Sequence, residues 1–321
     1  MLFRHGTRLG GVVVCALALW VSACSVQKSG NPNAPSSITP GPHDPRSAAP
    51  LPETDAAPPL GTGSTVLNVT GDIGWCGSPG VALTARLLER LPGDILLAGD
   101  IAYMKGTADD FRRCFDPEWG RMRGRFRAVP GNHEFEDPGA AGYFGYFGAA
   151  AGPGRRGYYA FRAATWHVLM LNSSEDMRRE SAQWQWVRNE LQQNRTRCTL
   201  AVWHHPFASS GPNGSNAQVR DTWQLLHEQG AEVVVSAHDH FYERFAPQTQ
   251  DYRYDPNAIR QFIVGTGGAP LYRPATRGPN TEAVVETFGA LKLTLNPSSY
   301  DWEFIEAATS RSIDRGSAPC H

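Results

Sequence analysis

Five apolar runs in this chain close on a side chain able to hold a cation. They are "NVTGD" with Asp72, "LLAGDIAY" with Asp100 and Tyr103, "AVPGNHE" with Asn132 and His133, "LAVWHH" with His204 and His205, and "VVVSAHDH" with His238 and His240. A carboxylate or imidazole at the end of a buried strand is costly unless hydrogen bonds or a bound cation compensate it. Taken singly, each has an ordinary reading, since Gly-Asp after a strand marks a turn and a lone buried histidine is usually satisfied by the protein. Five together constrain the fold, because ligand sites of open α/β sheets lie beyond the carboxyl ends of the strands. Carboxylates, a phenol, an amide and several imidazoles form a mixed oxygen and nitrogen donor set suited to hard-to-borderline cations. Gly71, Gly99 and Gly131 stand where the backbone has to turn sharply at three of these ends.

The segments between the runs fit an α/β order. "TVLNV", "DILLA", "RFRAVP", "TWHVLML", "CTLAVW", "EVVVSA" and "RQFIVG" read as strands, and "PGVALTARLLERL" and "AQVRDTWQLLHEQG" as helices. A short helix is expected at "ADDFRRCF". In "SAQWQWVRNELQQ", Trp184, Val187 and Leu191 recur at helical spacing with Ser181 placed to cap the helix. "GALKLTL" and "YDWEFIEA" follow without a helix between them, so antiparallel strands are expected at the end of the domain. The Gly-rich segment "EDPGAAGYFGYFGAAAGPGRRG" reads equally as a loop at the site entrance or a packed surface loop.

The ends of the chain read differently. Residues 1–23 have the pattern of a signal peptide, with Arg4, His5 and Arg8 ahead of an apolar stretch too short for a comfortable membrane span. The stretch ends in "VSAC", which resembles the lipobox of bacterial lipoproteins, so Cys24 is expected to be acylated; plain cleavage after Ala23 is the alternative. Residues 24–63 then form a tether, rich in Pro, Ser, Ala and Gly and too poor in apolar residues to offset the entropy of ordering. The catalytic domain is expected over 64–310, with 311–321 as a C-terminal tail. An exported protein on the bacterial envelope, touching the membrane through its lipid anchor only, follows from this reading.

Export also suits the cysteines. Cys76, Cys114, Cys198 and Cys320 remain beyond the leader and the anchor, in no C-x-x-C spacing that would suggest zinc. Of the three pairings available we expect Cys76 with Cys114 and Cys198 with Cys320. A net charge of −1 argues against a basic nucleic-acid-binding surface. The one basic run, "GRMRGRFR", reads better as a solvated face than as a phosphate site.

In order, "GDIGW", "GDIAY", "GNHE", "AVWH" and "AHDH" resemble the motif set of the calcineurin-like metallophosphoesterases, and most closely their purple acid phosphatase branch, over about residues 65–270. Two positions depart from the usual pattern: Ala237 replaces a glycine, and Ala201 stands where valine usually opens the fourth motif. The resemblance implies a four-layer α-β-β-α sandwich with mixed sheets. It implies two metal ions, ferric iron with divalent zinc, manganese or iron. Asp72, Asp100, Tyr103 and His240 would hold the first, and Asp100, Asn132, His204 and His238 the second. Aligning "HHP" on the family's H-x-P makes His204 the ligand and His205 a catalytic candidate supporting it from beside the metal, an assignment that the adjacent pair leaves open.

Two metals about 3.5–4 Å apart bind a phosphate ester and generate a hydroxide at neutral pH. His133 would protonate the leaving oxygen and Glu134 would orient His133. The expected substrates are small phosphate monoesters, the alternatives being a diesterase on the same centre or a non-catalytic surface lipoprotein. The plant members' N-terminal β-sandwich has no counterpart ahead of Asp72, so a minimal catalytic domain is expected.

Overall fold

In the computed structural model of the protein, residues 63–274 and 276–321 are described. The expectations for the signal peptide, for Cys24 and for nearly all of the tether lie outside the described residues. Among the described residues no helix is long and apolar enough to cross a membrane.

Two mixed sheets pack face to face. In the first, β1 (Thr65–Thr70), β2 (Asp94–Ala98) and β3 (Phe126–Val129) run parallel. The second holds a parallel block of β5 (Trp166–Met170), β6 (Thr199–Val202), β7 (Val233–Ser236) and β9 (Arg260–Val264). Its antiparallel margins are β4 (Tyr159–Ala163) on one side and β8 (Tyr242–Phe245) with β10 (Thr281–Val285) on the other. On the first sheet, β11 (Gly289–Asn296), β12 (Ser299–Glu306) and β13 (Ser312–Pro319) add antiparallel strands in the order β13-β12-β11-β1-β2-β3.

Strands buried on both faces need apolar residues on both sides, which is why β2, β6 and β7 read as largely apolar runs. Between the sheets, Val69, Leu96, Val202, Val235, Phe262, Leu291 and Phe304 form the central core. Helix α1 (Pro79–Arg90), capped by Ser78, covers the outside of the first sheet with Val81, Ala85 and Leu88. The second sheet is covered by the helix whose side chains Trp184, Val187 and Leu191 were read from spacing, and by the helix carrying Trp223 and Leu226. Four layers result, as expected.

Two differences from the sequence reading have physical causes. The Gly-rich segment contains a helix, α2 (Ala141–Phe147), whose Tyr143, Phe144 and Phe147 are buried. Aromatic packing there outweighs the poor helix propensity of glycine. Helix α3 (Ala182–Gln193) is capped by Ser181 as expected, and α4 (Arg220–Glu228) follows β6. The expected tail at 311–321 is a correction: β13 pairs along β12, and Cys320 is bonded to Cys198. Its side chains alternate between half-buried and exposed without an apolar face, so no period-2 hydrophobic signal marked it as a strand.

The basic run is structural. Arg125 donates to the carbonyls of Leu88, Leu91 and Gly93, closing the C-terminus of α1. Arg121, Arg123 and Arg127 pair with Glu89, Asp116 and Asp94.

Both disulfides have the expected partners, Cys76–Cys114 and Cys198–Cys320, and they close loops with sequence separations of 38 and 122. Bridges over loops of this size contribute about 2–4 kcal/mol each. Thermal unfolding with and without reductant should therefore show a marked fall in Tm once the thiols are free. An unchanged Tm in protein whose four thiols are shown to be reduced would exclude this stabilising role.

Candidate metal centre

The ligand-type side chains come from the carboxyl ends of β1, β2, β3, β6 and β7, which the two-sheet packing brings to one edge. Asp72, Asp100 and His238 each have positive φ, at 56°, 48° and 73°. Non-glycine residues rarely adopt this conformation, and such strain concentrates at functional sites. Of the glycines singled out, only Gly99 has positive φ, at +89°. The others serve close approach: a Cβ on Gly131 would lie 2.2 Å from Asp100 Oδ1, and one on Gly71 would lie 2.5 Å from the Ala237 Cβ.

Two clusters of donor atoms meet at Asp100. In one, the Tyr103 hydroxyl lies 2.7 Å from Asp72 Oδ1, 3.2 Å from Asp100 Oδ2 and 3.2 Å from His240 Nε2. His240 Nε2 is also 3.3 Å from Asp72 Oδ1. In the other, His204 Nε2 lies 3.2 Å from the same Asp100 Oδ2 and 3.2 Å from His238 Nδ1. Ligand atoms of Asp100, His204 and His238 all fall within 4.8 Å of one another. Asp100 Oδ2 is thus common to both clusters, while Oδ1 accepts the His133 amide at 2.9 Å.

Two features fit a cation-binding role. Asn132 Oδ1 is buried without a hydrogen-bond partner, a rare and costly state for an amide oxygen that a metal would relieve. His204 Nδ1 and His240 Nδ1 lie 2.9 Å and 2.8 Å from the carbonyls of Ala98 and Pro270, which fixes their tautomers and leaves Nε2 for the site.

The electrostatics show how much positive charge the cluster calls for. Burial works against the Asp100 carboxylate, yet His204 and His133 beside it hold it well below the usual range. Burial likewise opposes charge on His204, but Asp100 outweighs it and pushes the imidazole up to about 9. Burial, then the charges of Asp100 and Asp72, push the Tyr103 phenol well above its ordinary value. His238 is lowered to about 4, by burial first and then by His204. Burial opposes charge on His240 too, but Asp72 outweighs it and raises the imidazole, so without metals His204 and His240 are the cations that offset these carboxylates.

Around the cluster, His133 has Nε2 3.8 Å from Asp100 Oδ2 and Nδ1 2.5 Å from the Met104 carbonyl. Glu134 is a correction: it does not orient His133. Fully buried, it accepts hydrogen bonds from the amides of Asp100, Ile101, Ala102 and Gly131, tying the turn after β2 to the turn after β3. Burial and the nearby Asp100 raise it to about 7. The side chain near His133 is Glu136, 3.3 Å from Nδ1.

Of the paired histidines, His204 faces Asp100, whereas His205 packs on His238 with ring centroids 4.5 Å apart. Its Nδ1 is 2.9 Å from the Ser173 hydroxyl, and burial, followed by His204 and His238, lowers it to about 3. It is a neutral imidazole at the edge of the cluster.

Sequence reasoning missed three supporting residues. Ser173 holds His205, and Tyr272 stacks on His240 at 4.0 Å. Asp239 accepts hydrogen bonds from the Ser209 hydroxyl and the Asn213 amide, anchoring the 209–213 loop beside the site. Only Asp239 carried a signal, as a charge between two ligand histidines in "AHDH".

Comparison with known proteins places this geometry. Residues 66–242 match the family model described as calcineurin-like phosphoesterase. Purple acid phosphatase 15 of Arabidopsis thaliana is 27% identical over 237 residues, 62% of this chain and 44% of that protein. Purple acid phosphatase 1 of Ipomoea batatas is 24% identical over 77% of this chain and 56% of that protein. The chain spans about half the length of the curated relatives it matches. Among solved structures, a purple acid phosphatase from yellow lupin (Lupinus luteus) seeds shares the fold with a TM-score of 0.68 at 19% identity, covering 79% of this chain and 53% of that one. A dimetal phosphatase from Danio rerio does so with a TM-score of 0.57 at 14% identity, covering 80% and 99%. With more than half of its residues matched by that model and the two-sheet fold shared with these structures, the chain belongs to the calcineurin-like phosphoesterase family.

Proposed function

We propose that the protein is a dinuclear-metal phosphatase that releases inorganic phosphate from phosphate monoesters. The observation that carries the reading is Asp100 Oδ2, shared by two donor clusters with His133 beside it. Asp72, Asp100, Tyr103 and His240 would hold one ion, ferric iron, and Asp100, Asn132, His204 and His238 a divalent zinc, manganese or iron. When bound, such a pair neutralises phosphate charge and activates water at neutral pH.

The protein's own groups do the rest. His133 presents Nε2 to the site because the Met104 carbonyl accepts the proton on Nδ1, and it delivers a proton to the departing oxygen. His205, neutral and fixed by Ser173, offers Nε2 as a hydrogen-bonding group to phosphate. Glu134 keeps Asp100 and Asn132 in mutual register by binding the backbone of both turns.

A phenol ligand suits a trivalent hard cation, and phenolate-to-ferric charge transfer absorbs visible light. Metal analysis should find two ions per chain, one of them iron, in coloured protein, and Tyr103→Phe should lose the visible band. Colourless, iron-free protein that still hydrolyses monoesters would replace iron by zinc or manganese and leave the hydrolytic reading standing. Faster turnover of a bis-ester than of a monoester with the same leaving group would overturn the monoesterase assignment.

A further inference from the structure

The surroundings of His133 are unevenly furnished. Met104, whose carbonyl receives the His133 Nδ1 proton, is 49% exposed. Among the described residues it is one of three large apolar side chains left so open, the others being Tyr254 and Ile313. The Tyr103 ring lies 4.6 Å from that of His133 and 5.1 Å from the half-buried Trp75. Half-buried Tyr272 stacks on His240. Glu136 brings a half-exposed carboxylate to His133 itself.

A group that leaves beside His133 would meet Met104 next to that histidine, Trp75 behind the Tyr103 ring, and the Glu136 carboxylate. Exposed apolar side chains at a catalytic mouth gain by covering apolar surface, and thioether–ring contacts add to that gain. An anionic leaving group would meet Glu136 instead.

We infer that Met104 and Trp75 form a leaving-group subsite that selects phosphate monoesters of apolar, ring-bearing alcohols over those of small or anionic alcohols. The inference rests on the monoesterase reading above. It is tested with benzyl phosphate, methyl phosphate and phosphoglycolate, whose leaving alcohols have closely similar basicity, so that differences report the rim rather than the chemistry. The metal-loaded protein should show a kcat/KM about 10-fold higher for benzyl phosphate than for methyl phosphate, with phosphoglycolate lowest. In Met104→Glu the benzyl-to-methyl ratio should fall about 10-fold, a readout that partial unfolding or poor metal loading does not move. A wild-type ratio near one, an unchanged ratio in the variant, or a preference for phosphoglycolate carried by the neighbouring exposed Lys105 would overturn the subsite.

Binding separates the two levels of the argument. Benzylphosphonate should bind the loaded protein about 10-fold more tightly than methylphosphonate, and Met104→Glu should erase that difference. If none of the esters turns over, the monoesterase reading fails while the phosphonate pair still decides the rim.

Discussion

Asp100→Asn is expected to remove both metals and essentially all activity, a larger loss than at any other ligand. Asp100 is 1% exposed, and its Oδ2 is within 3.2 Å of both the Tyr103 hydroxyl and His204 Nε2. One oxygen thus serves both clusters, and the amide removes its charge from both at once. Altering hydrogen-bonded neighbours of metal ligands typically costs about 10–100-fold in metal affinity. Losing the shared ligand should exceed that at each position. Asp239→Asn is the matched control: it too is a fully buried aspartate, between two of the histidines, but its oxygens are taken by Ser209 and Asn213. That variant should keep both ions. Metal analysis of the two proteins decides, and two ions per chain in Asp100→Asn would show that the clusters do not share this residue.

His133→Ala should separate substrates by leaving group. The backbone amide that donates to Asp100 Oδ1 survives the substitution, so metal content should be unchanged. What is lost is Nε2, 3.8 Å from Asp100 Oδ2 and held in place by the Met104 carbonyl. A general acid contributes about 10²–10⁴-fold, and only where the departing oxygen needs a proton. Alkyl phosphates leave as basic alkoxides, whereas nitrophenolate leaves readily as an anion. Activity on an alkyl phosphate should therefore fall by about 10²–10⁴-fold and that on nitrophenyl phosphate by distinctly less. Equal losses with both metals present would make His133 a residue that positions phosphate.

Five of the ligand candidates were legible in the sequence because each lies within three residues of the strand that places it. Asp72, Asp100, Asn132, His204 and His238 are set by the ends of their own strands, and an apolar run ending in a polar residue is a local pattern. The helices with strong 3.6-residue periodicity and the parallel strands were readable for the same reason. Strands β4, β8, β10 and β13 were not. They are short or largely polar, and their partners fix them, as β12 and the Cys198 bridge fix β13.

What only the tertiary structure decided are the relations between distant segments. Neither the Asp100 oxygen facing both clusters, nor which of His204 and His205 looks inward, is encoded by spacing. Glu134 looked like a partner for His133 because they are neighbours in sequence. Folding instead surrounds it with four amides from two turns, since a buried carboxylate is stable where the most donors converge. Arg125 likewise reads as surface charge until α1 ends beside it and presents carbonyls. The sequence by itself determined the local ends of strands and the side chains carried there; packing of the two sheets determined which atoms of those side chains meet, because such contacts join residues as far apart in the chain as Asp72 and His240.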